Sequence, residues 1–254
     1  MKAYYEAIPK TKLMRRTPVI IRIDGKAFHT FTKNFNKPYD EAIGNAMVGT
    51  MKYLCENIQG CVFGYTQSDE ITLVLVDYQT FNTAAWFDYE VQKMCSVSAS
   101  MATMQFNKLF TEFARKEISK QFNANYSTAK ITKVYSKAIA KGAMFDSRVF
   151  NIPKEEVTNC ILWRQQDATR NSIEALGRSF FSSKQLYKKN TSQIQDMLME
   201  MFNINWNNSP TSFKRGVACF KENDGKRSSW KVDYEMPTIS QDRDYVEKHI
   251  VFDE

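Results

Sequence analysis

The chain has 254 residues, 43% of them hydrophobic and 25% charged, a balance that excludes a disordered protein and can bury a core without disulfide or metal staples. Its formal net charge of +7 and pI near 9.0 favour a polyanionic partner such as nucleic acid. Five scattered cysteines (Cys55, Cys61, Cys95, Cys160 and Cys219), no C-x-x-C and only two histidines, His29 and His249, leave no zinc pattern and read as reduced thiols of a cytoplasmic protein. The opening "MKAYYEAIPKTKLMRR" lacks the apolar stretch of a signal peptide, and no apolar run approaches membrane-spanning length.

In chain order, "TPVIIRID" is a β-branched run that predicts a buried strand ending at Asp24 and stopped by Gly25. "KPYDEAIGNAMVGTMKYLCENIQG" predicts a helix, because Ile43, Met47, Met51, Leu54 and Ile58 recur at helical spacing, with Asp40 as N-cap and Gly60 as stop. "CVFGY" and "ITLVLV" predict a hairpin whose loop is the five residues "TQSDE". From Thr83 to about Lys120 no proline or glycine intervenes; Phe87, Val91, Met94, Ser98, Met101, Phe106, Leu109 and Phe113 predict one long buried helix, broken at most once. "MFDSRVFNIP" predicts another strand, ended by Pro153.

Strand, helix, strand, strand, helix, strand is the order of the ferredoxin-like polymerase palm, an α+β fold with an antiparallel sheet backed by helices. Beyond Pro153 the chain reads as mainly helical. Val157, Ile161, Leu162, Ala168, Ile173 and Leu176 mark one helix and "TSQIQDMLMEMF" another, followed by a hairpin with an Asn-Asp-Gly turn. The expected division is a palm-like catalytic domain over residues 1–137 and a C-terminal domain over 138–254 packed on it.

Ser68-Asp69-Glu70 alone reads as a polar turn. Asp24 changes that reading, because the palm order brings its strand end beside the hairpin. Carboxylates on adjacent strands with a glycine next to one of them suit a pair of magnesium ions, which take hard oxygens and few protein ligands. Neighbours in a strand point to opposite faces, so Asp69 is the expected shared ligand and Glu70 a supporting one. "GNAMVGTM" is not a phosphate loop, since Thr50 and Met51 stand where Lys and Ser or Thr are required. Basic clusters at Lys10, Lys12, Arg15 and Arg16, at Lys130, Lys133, Lys137 and Lys141, at Lys184, Lys188 and Lys189, and at Lys214 and Arg215 together read as an RNA track.

"RIDGKAFHTF", "KPYD", "GYTQSDEITLVL", "FDSRVFNIP", "WRQQDATRNS" and "FNINWNN" together resemble the histidine-tRNA guanylyltransferase family, in the family's order, from about residue 5 to 220. The resemblance implies a palm enzyme that adds nucleotides in the 3′–5′ direction to the 5′ end of tRNA with two magnesium ions, using GTP, ATP and other nucleoside triphosphates, and a homotetramer. It implies Asp24, the Gly25 carbonyl and Asp69 as metal ligands, with Glu70 in the catalytic set. It further implies nucleotide contacts from Asp24, Gly25, Lys26, Ala27, Phe28, His29, Lys37, Asp40, Ser68, Asp69 and Lys93. Candidate tRNA contacts are Arg164, Arg170, Asn171, Lys188 and Lys189. Asn203, Asn205, Asn207 and Asn208 fall in a matched motif without a physical role.

The chain departs from the family in two places. Thr169-Arg170-Asn171-Ser172 replaces a His-Ile-Asn-Asn element, and Tyr89 and Glu90 stand where basic residues precede the helical lysine, Lys93. These departures resemble the guanylyltransferase-like branch, for which template-dependent repair of 5′-truncated tRNA is the expected reaction. The alternative is addition of the extra 5′ guanylate to histidine tRNA. More distant alternatives are a nucleotide cyclase, whose paired hairpin glycines are missing, and an RNA-binding protein with a decayed site.

Overall fold

The β-branched residues after Pro18 form β1 (Val19–Gly25), in which Val19, Ile20, Ile21 and Ile23 are fully buried. A computed structural model describes residues 1–123, 129–223 and 228–251. After β1 come a short α1 (Phe28–Phe31) and α2 (Glu41–Asn57). The Asp40 carboxylate caps α2 by accepting from the backbone N–H of Ala42 at 3.1 Å and Ile43 at 3.2 Å, as the sequence predicts. Gly60, at φ +80°, turns the chain just beyond the helix, where a Cβ would stand 2.8 Å from the Val76 carbonyl oxygen.

β2 (Cys61–Gln67) and β3 (Glu70–Leu75) make the expected hairpin, but the loop is two residues, Ser68 and Asp69, rather than five. Thr66 and Gln67 stay in the ladder opposite Ile71 and Glu70, and the Thr66 hydroxyl donates to the Glu70 carbonyl at 2.8 Å. The long helix α3 (Val91–Asn123) starts later than the sequence predicts. Phe87, Asp88 and Tyr89 all have φ near +50° (50°, 51° and 55°), and a right-handed helix cannot pass through them. Its core row is Met94, Ser98, Ala102, Phe106, Phe110 and Ala114, a strict four-residue repeat. α4 (Ala129–Lys141) was not anticipated, and β4 (Phe145–Asn151) follows it.

α5 (Val157–Phe180), α6 (Ser183–Leu186), α7 (Thr191–Phe202) and α8 (Thr211–Arg215) come next, then β5 (Val217–Asn223), β6 (Ser228–Asp233) and α9 (Asp244–Glu247). The Asn-Asp-Gly turn expected between β5 and β6 runs into residues 224–227, outside the described residues.

The strands form one antiparallel sheet in the order β4-β1-β3-β2-β5-β6. The first four are the palm order that the sequence predicts. β4, β5 and β6 all follow residue 138 and hydrogen-bond into the same sheet as β1–β3. On one face Ile21, Ile23, Ile71 and Leu73 pack with Met47 and Met51 of α2, Phe106 and Phe110 of α3 and Tyr135 of α4. On the other, Ile20, Val74, Phe63 and Phe220 pack with Val157 and Ile161 of α5 and the C-terminal Met236, Ile239 and Val246. Among the described residues no helix is long and apolar enough to cross a membrane.

His249 stacks on Phe220 at 4.5 Å and lies 5.7 Å from the Phe63 ring, and burial lowers its pKa to about 4. The native state resists protonation that the unfolded chain accepts near the ordinary value of 6.5. Its contribution to stability is therefore complete above that value and is lost as pH falls toward about 4. His249→Phe is expected to remove about 1 kcal/mol of the stability difference between pH 7 and pH 5, measured by urea unfolding at the two values. An unchanged difference would refute the assignment.

Candidate active site

The end of β1 is held to the hairpin tip by a backbone bond, Gly25 N–H donating to the Asp69 carbonyl at 3.1 Å. Ser68 supplies the positive φ (50°) that turns the hairpin so that Asp69 faces β1. Gly25 has no room for a side chain, since a Cβ would fall 2.2 Å from the Phe28 ring. The chain then turns through Lys26, whose N–H donates to the Met144 carbonyl at 2.8 Å, and Ala27 at φ 52° into α1.

Asp24 and Asp69 are both partly buried, and neither forms an ion pair among the described residues. Burial raises the Asp69 pKa; the Ser68 hydroxyl, donating at 3.0 Å, opposes the rise, and the charge of Asp24 adds to it. The two carboxylates are therefore near enough to repel each other, and neither has a cationic ion-pair partner among the described residues.

Glu70 goes elsewhere. It is 8% exposed and paired with Arg164 of α5 at 3.1 Å, with Arg22 at 4.0 Å and the Thr72 hydroxyl at 3.4 Å. Its carboxylate is engaged in an internal ion pair. The same pair holds Arg164, one of the expected tRNA contacts, against the sheet.

A cavity of about 690 Å³ opens beside Asp69. Phe28, His29, Lys37, Asp40, Ser68 and Asp69 line one side, and Asn171, Ser172, Pro210 and Phe213 line the other. The structure thus brings together the "RIDGKAFH", "KPYD" and "TQSDE" segments and the middle of α5. Asp40 reaches the cavity wall, but its oxygens accept from Ala42, Ile43 and Asn36 N–H and from the Tyr135 hydroxyl at 2.8 Å. It holds the Lys37–Asp40 loop. Lys93 does not line the cavity; it pairs with Glu90 at 3.9 Å and lies 5.9 Å from the Phe87 ring centre. Arg170 pairs with Asp167 on the exposed side of α5, and the Asn171 amide reaches Asp167 at 3.4 Å. Lys188 and Lys189 are exposed between α6 and α7.

One residue escaped the sequence reading. Asp146 of β4 stands in register with Asp24, which is itself opposite Glu70, so three carboxylates cross the sheet in one row. The next row on the same face is Thr72, Arg22 and Arg148. The signal was present in "FDSRVFNIP", but only the register shows that its aspartate meets Asp24.

The profile of the tRNAHis guanylyltransferase family matches residues 1–153. The chain belongs to this family. It is a nucleotidyltransferase of guanylyltransferase type with the family's α+β fold. It is 41% identical to a bacterial tRNA(His) guanylyltransferase-like protein solved in complex with ATP, at a TM-score of 0.84, covering 99% of this chain and 97% of that one. A bacterial protein of the same description in complex with GTP matches at 38% identity and a TM-score of 0.78, covering 98% and 97%. The probable tRNA(His) guanylyltransferase of Dictyostelium discoideum is 25% identical over 223 residues, covering 83% of this chain and 77% of that protein.

Proposed function

We propose that this protein joins a nucleoside triphosphate to the 5′ end of a tRNA, in the 3′–5′ direction. The supporting observation is that Asp69, which lines a cavity of about 690 Å³, a size that accepts a nucleotide, is held by a backbone bond to Gly25, next to Asp24. The ATP and GTP held by the two bacterial relatives support nucleotide substrates.

The donor set fits magnesium. Among the described residues no three His, Cys, Asp or Glu side chains are grouped to hold a metal. Two carboxylates with a neighbouring carbonyl suit an ion that completes its shell with water and substrate oxygens. Asp24, Asp69 and the Gly25 carbonyl would hold two such ions, which when bound lower the pKa of an attacking 3′-hydroxyl and neutralise a triphosphate. Lys37 supplies a cation on the cavity wall for phosphate, Ser68 orients Asp69 through its hydroxyl, and His29 offers a further donor. Arg170, Lys188 and Lys189 are left as exposed contacts for tRNA.

The names of the curated relatives favour guanylate addition to histidine tRNA. Template-dependent repair is the second reading, and one observation favours it. Thr169 stands where the family has histidine, and its hydroxyl donates to the Lys214 carbonyl at 3.1 Å, a bond that serves the α5–α8 contact.

The test is incubation with magnesium and all four nucleoside triphosphates, using full-length histidine tRNA and a tRNA lacking its first 5′ nucleotide. Guanylate addition to histidine tRNA regardless of the opposite base supports the first reading. Extension of the shortened tRNA by the complementary base supports the second. No addition to either RNA, with a 5′ monophosphate or a triphosphate, refutes both. The homotetramer implied by the resemblance belongs to the same proposal, and light scattering reads it.

A further inference from the structure

Helix α4 carries Lys130, Lys133, Lys137 and Lys141 on an exposed face and Ile131, Tyr135 and Ala138 on a buried one. Spaced three and four residues apart, the lysines form one stripe about 16 Å long at 1.5 Å per residue, a length that spans several successive phosphates of a nucleic-acid strand. The helix contains no acidic residue, and none of its four outward lysines forms an ion pair among the described residues.

Members of two other basic clusters are engaged. Lys12 pairs with Asp88, Arg15 pairs with Asp77 at 2.5 Å and with Asp88 at 3.3 Å, and Lys214 donates to the Asn207 carbonyl. On α4, Lys133 and Lys137, and Lys137 and Lys141, are like charges four residues apart, an arrangement that costs helix stability until a polyanion neutralises it.

The stripe is tied to the site at two points. The Tyr135 hydroxyl donates to Asp40, the cap at the cavity wall, at 2.8 Å. Beyond Lys141 the chain passes through Met144, whose carbonyl accepts the Lys26 N–H, to Asp146 opposite Asp24. One end of the stripe therefore lies near the carboxylate row, and the rest leads away from it.

A basic helix also suits an anionic membrane, but that mode needs a free apolar face. Here Tyr135 packs 5.3 Å from Phe35 and 5.9 Å from Phe110 inside the core. Charge complementarity with the apolar side already occupied points to nucleic acid.

We propose that the lysine face of α4 is the surface along which the phosphate backbone of a tRNA lies while its 5′ end occupies the site at Asp24 and Asp69. The proposal rests on the tRNA reading above.

The experiment compares the full chain with a variant carrying Lys130→Gln, Lys133→Gln, Lys137→Gln and Lys141→Gln, and with the four Lys→Arg changes. Affinity for unmodified tRNA is measured by filter binding between 50 and 200 mM salt, beside calorimetric affinity for GTP. The glutamine variant is expected to bind tRNA more than tenfold more weakly, with a log K against log salt slope shallower by about 3, and to bind GTP unchanged. The arginine variant is expected to keep affinity and slope. Unchanged tRNA affinity and slope in the glutamine variant overturn the proposal, as does loss of binding to phosphatidylserine vesicles without loss of tRNA binding. Equal loss of GTP affinity also overturns it, since a damaged fold would then account for the result. If wild-type protein binds tRNA through the stripe yet adds no nucleotide to any RNA, the reaction assignment fails and the surface stands.

Discussion

Asp69→Asn is expected to abolish nucleotide addition while raising the thermal stability of the magnesium-free protein. Rate should fall at least about 10³-fold, roughly 4 kcal/mol of barrier, because the amide removes the one carboxylate of the Asp24–Asp69 pair that lines the cavity. Stability should rise because Asp69 is a partly buried carboxylate beside Asp24 with no cationic partner among the described residues. Its native pKa is raised, first by burial, so the folded state holds that proton more tightly than the unfolded chain does. Wild-type stability therefore falls as pH climbs from the ordinary carboxylate value through the raised one, and at neutral pH the whole penalty is present. Asparagine does not carry it. Melting at pH 7 and below the carboxylate range, with and without magnesium, checks the signs: the variant gains only at the higher pH. Magnesium, which stabilises whatever native state binds it, shifts wild type and leaves the variant unmoved. Retained turnover, or an equal magnesium shift in the two proteins, would remove Asp69 from the metal site.

The palm was legible because its signals are periodic and local. A β-branched run stopped by Gly25, an Asp40 cap before a Met-rich stripe and an uninterrupted apolar repeat from residue 91 each state their element on their own. The pairing of Asp24 with Asp69 was legible too, since palm order alone sets their strand ends side by side. What stayed hidden depends on register or on the third dimension. Asp146 meets Asp24 through a ladder that no single strand encodes. The start of α3 turns on three left-handed residues with ordinary side chains, Phe87, Asp88 and Tyr89, which carry no glycine to announce them. α4 carries its own signals, Ile131, Tyr135 and Ala138 at helical spacing and Gly142 as a stop, but its four lysines read first as a charge cluster. Asp40 reads as an N-cap in "KPYD", and Tyr135, ninety-five residues away, also donates to one of its oxygens, which no local signal announces.

Arg164→Ala is expected to destabilise the fold by about 3 kcal/mol, which separates an internal ion pair from a tRNA contact. Glu70 is 8% exposed and takes its closest charge from Arg164 at 3.1 Å; without it, Arg22 at 4.0 Å and the Thr72 hydroxyl at 3.4 Å are what is left. A buried carboxylate stripped of its partner costs more than the pair contributed, because desolvation is no longer offset. Adding Glu70→Gln to Arg164→Ala should therefore recover much of the loss, a coupling that a double-mutant cycle reads directly. A residue that contacted only RNA would behave differently. Its removal would raise KM for tRNA, leave the urea midpoint unchanged and show no coupling to Glu70. The pair also joins α5 to the start of β3, one residue from Asp69, so loosening it should lower kcat as Asp69 loses its fixed place. An unchanged midpoint with a raised KM would return Arg164 to the RNA surface and leave Glu70 free to act at the site.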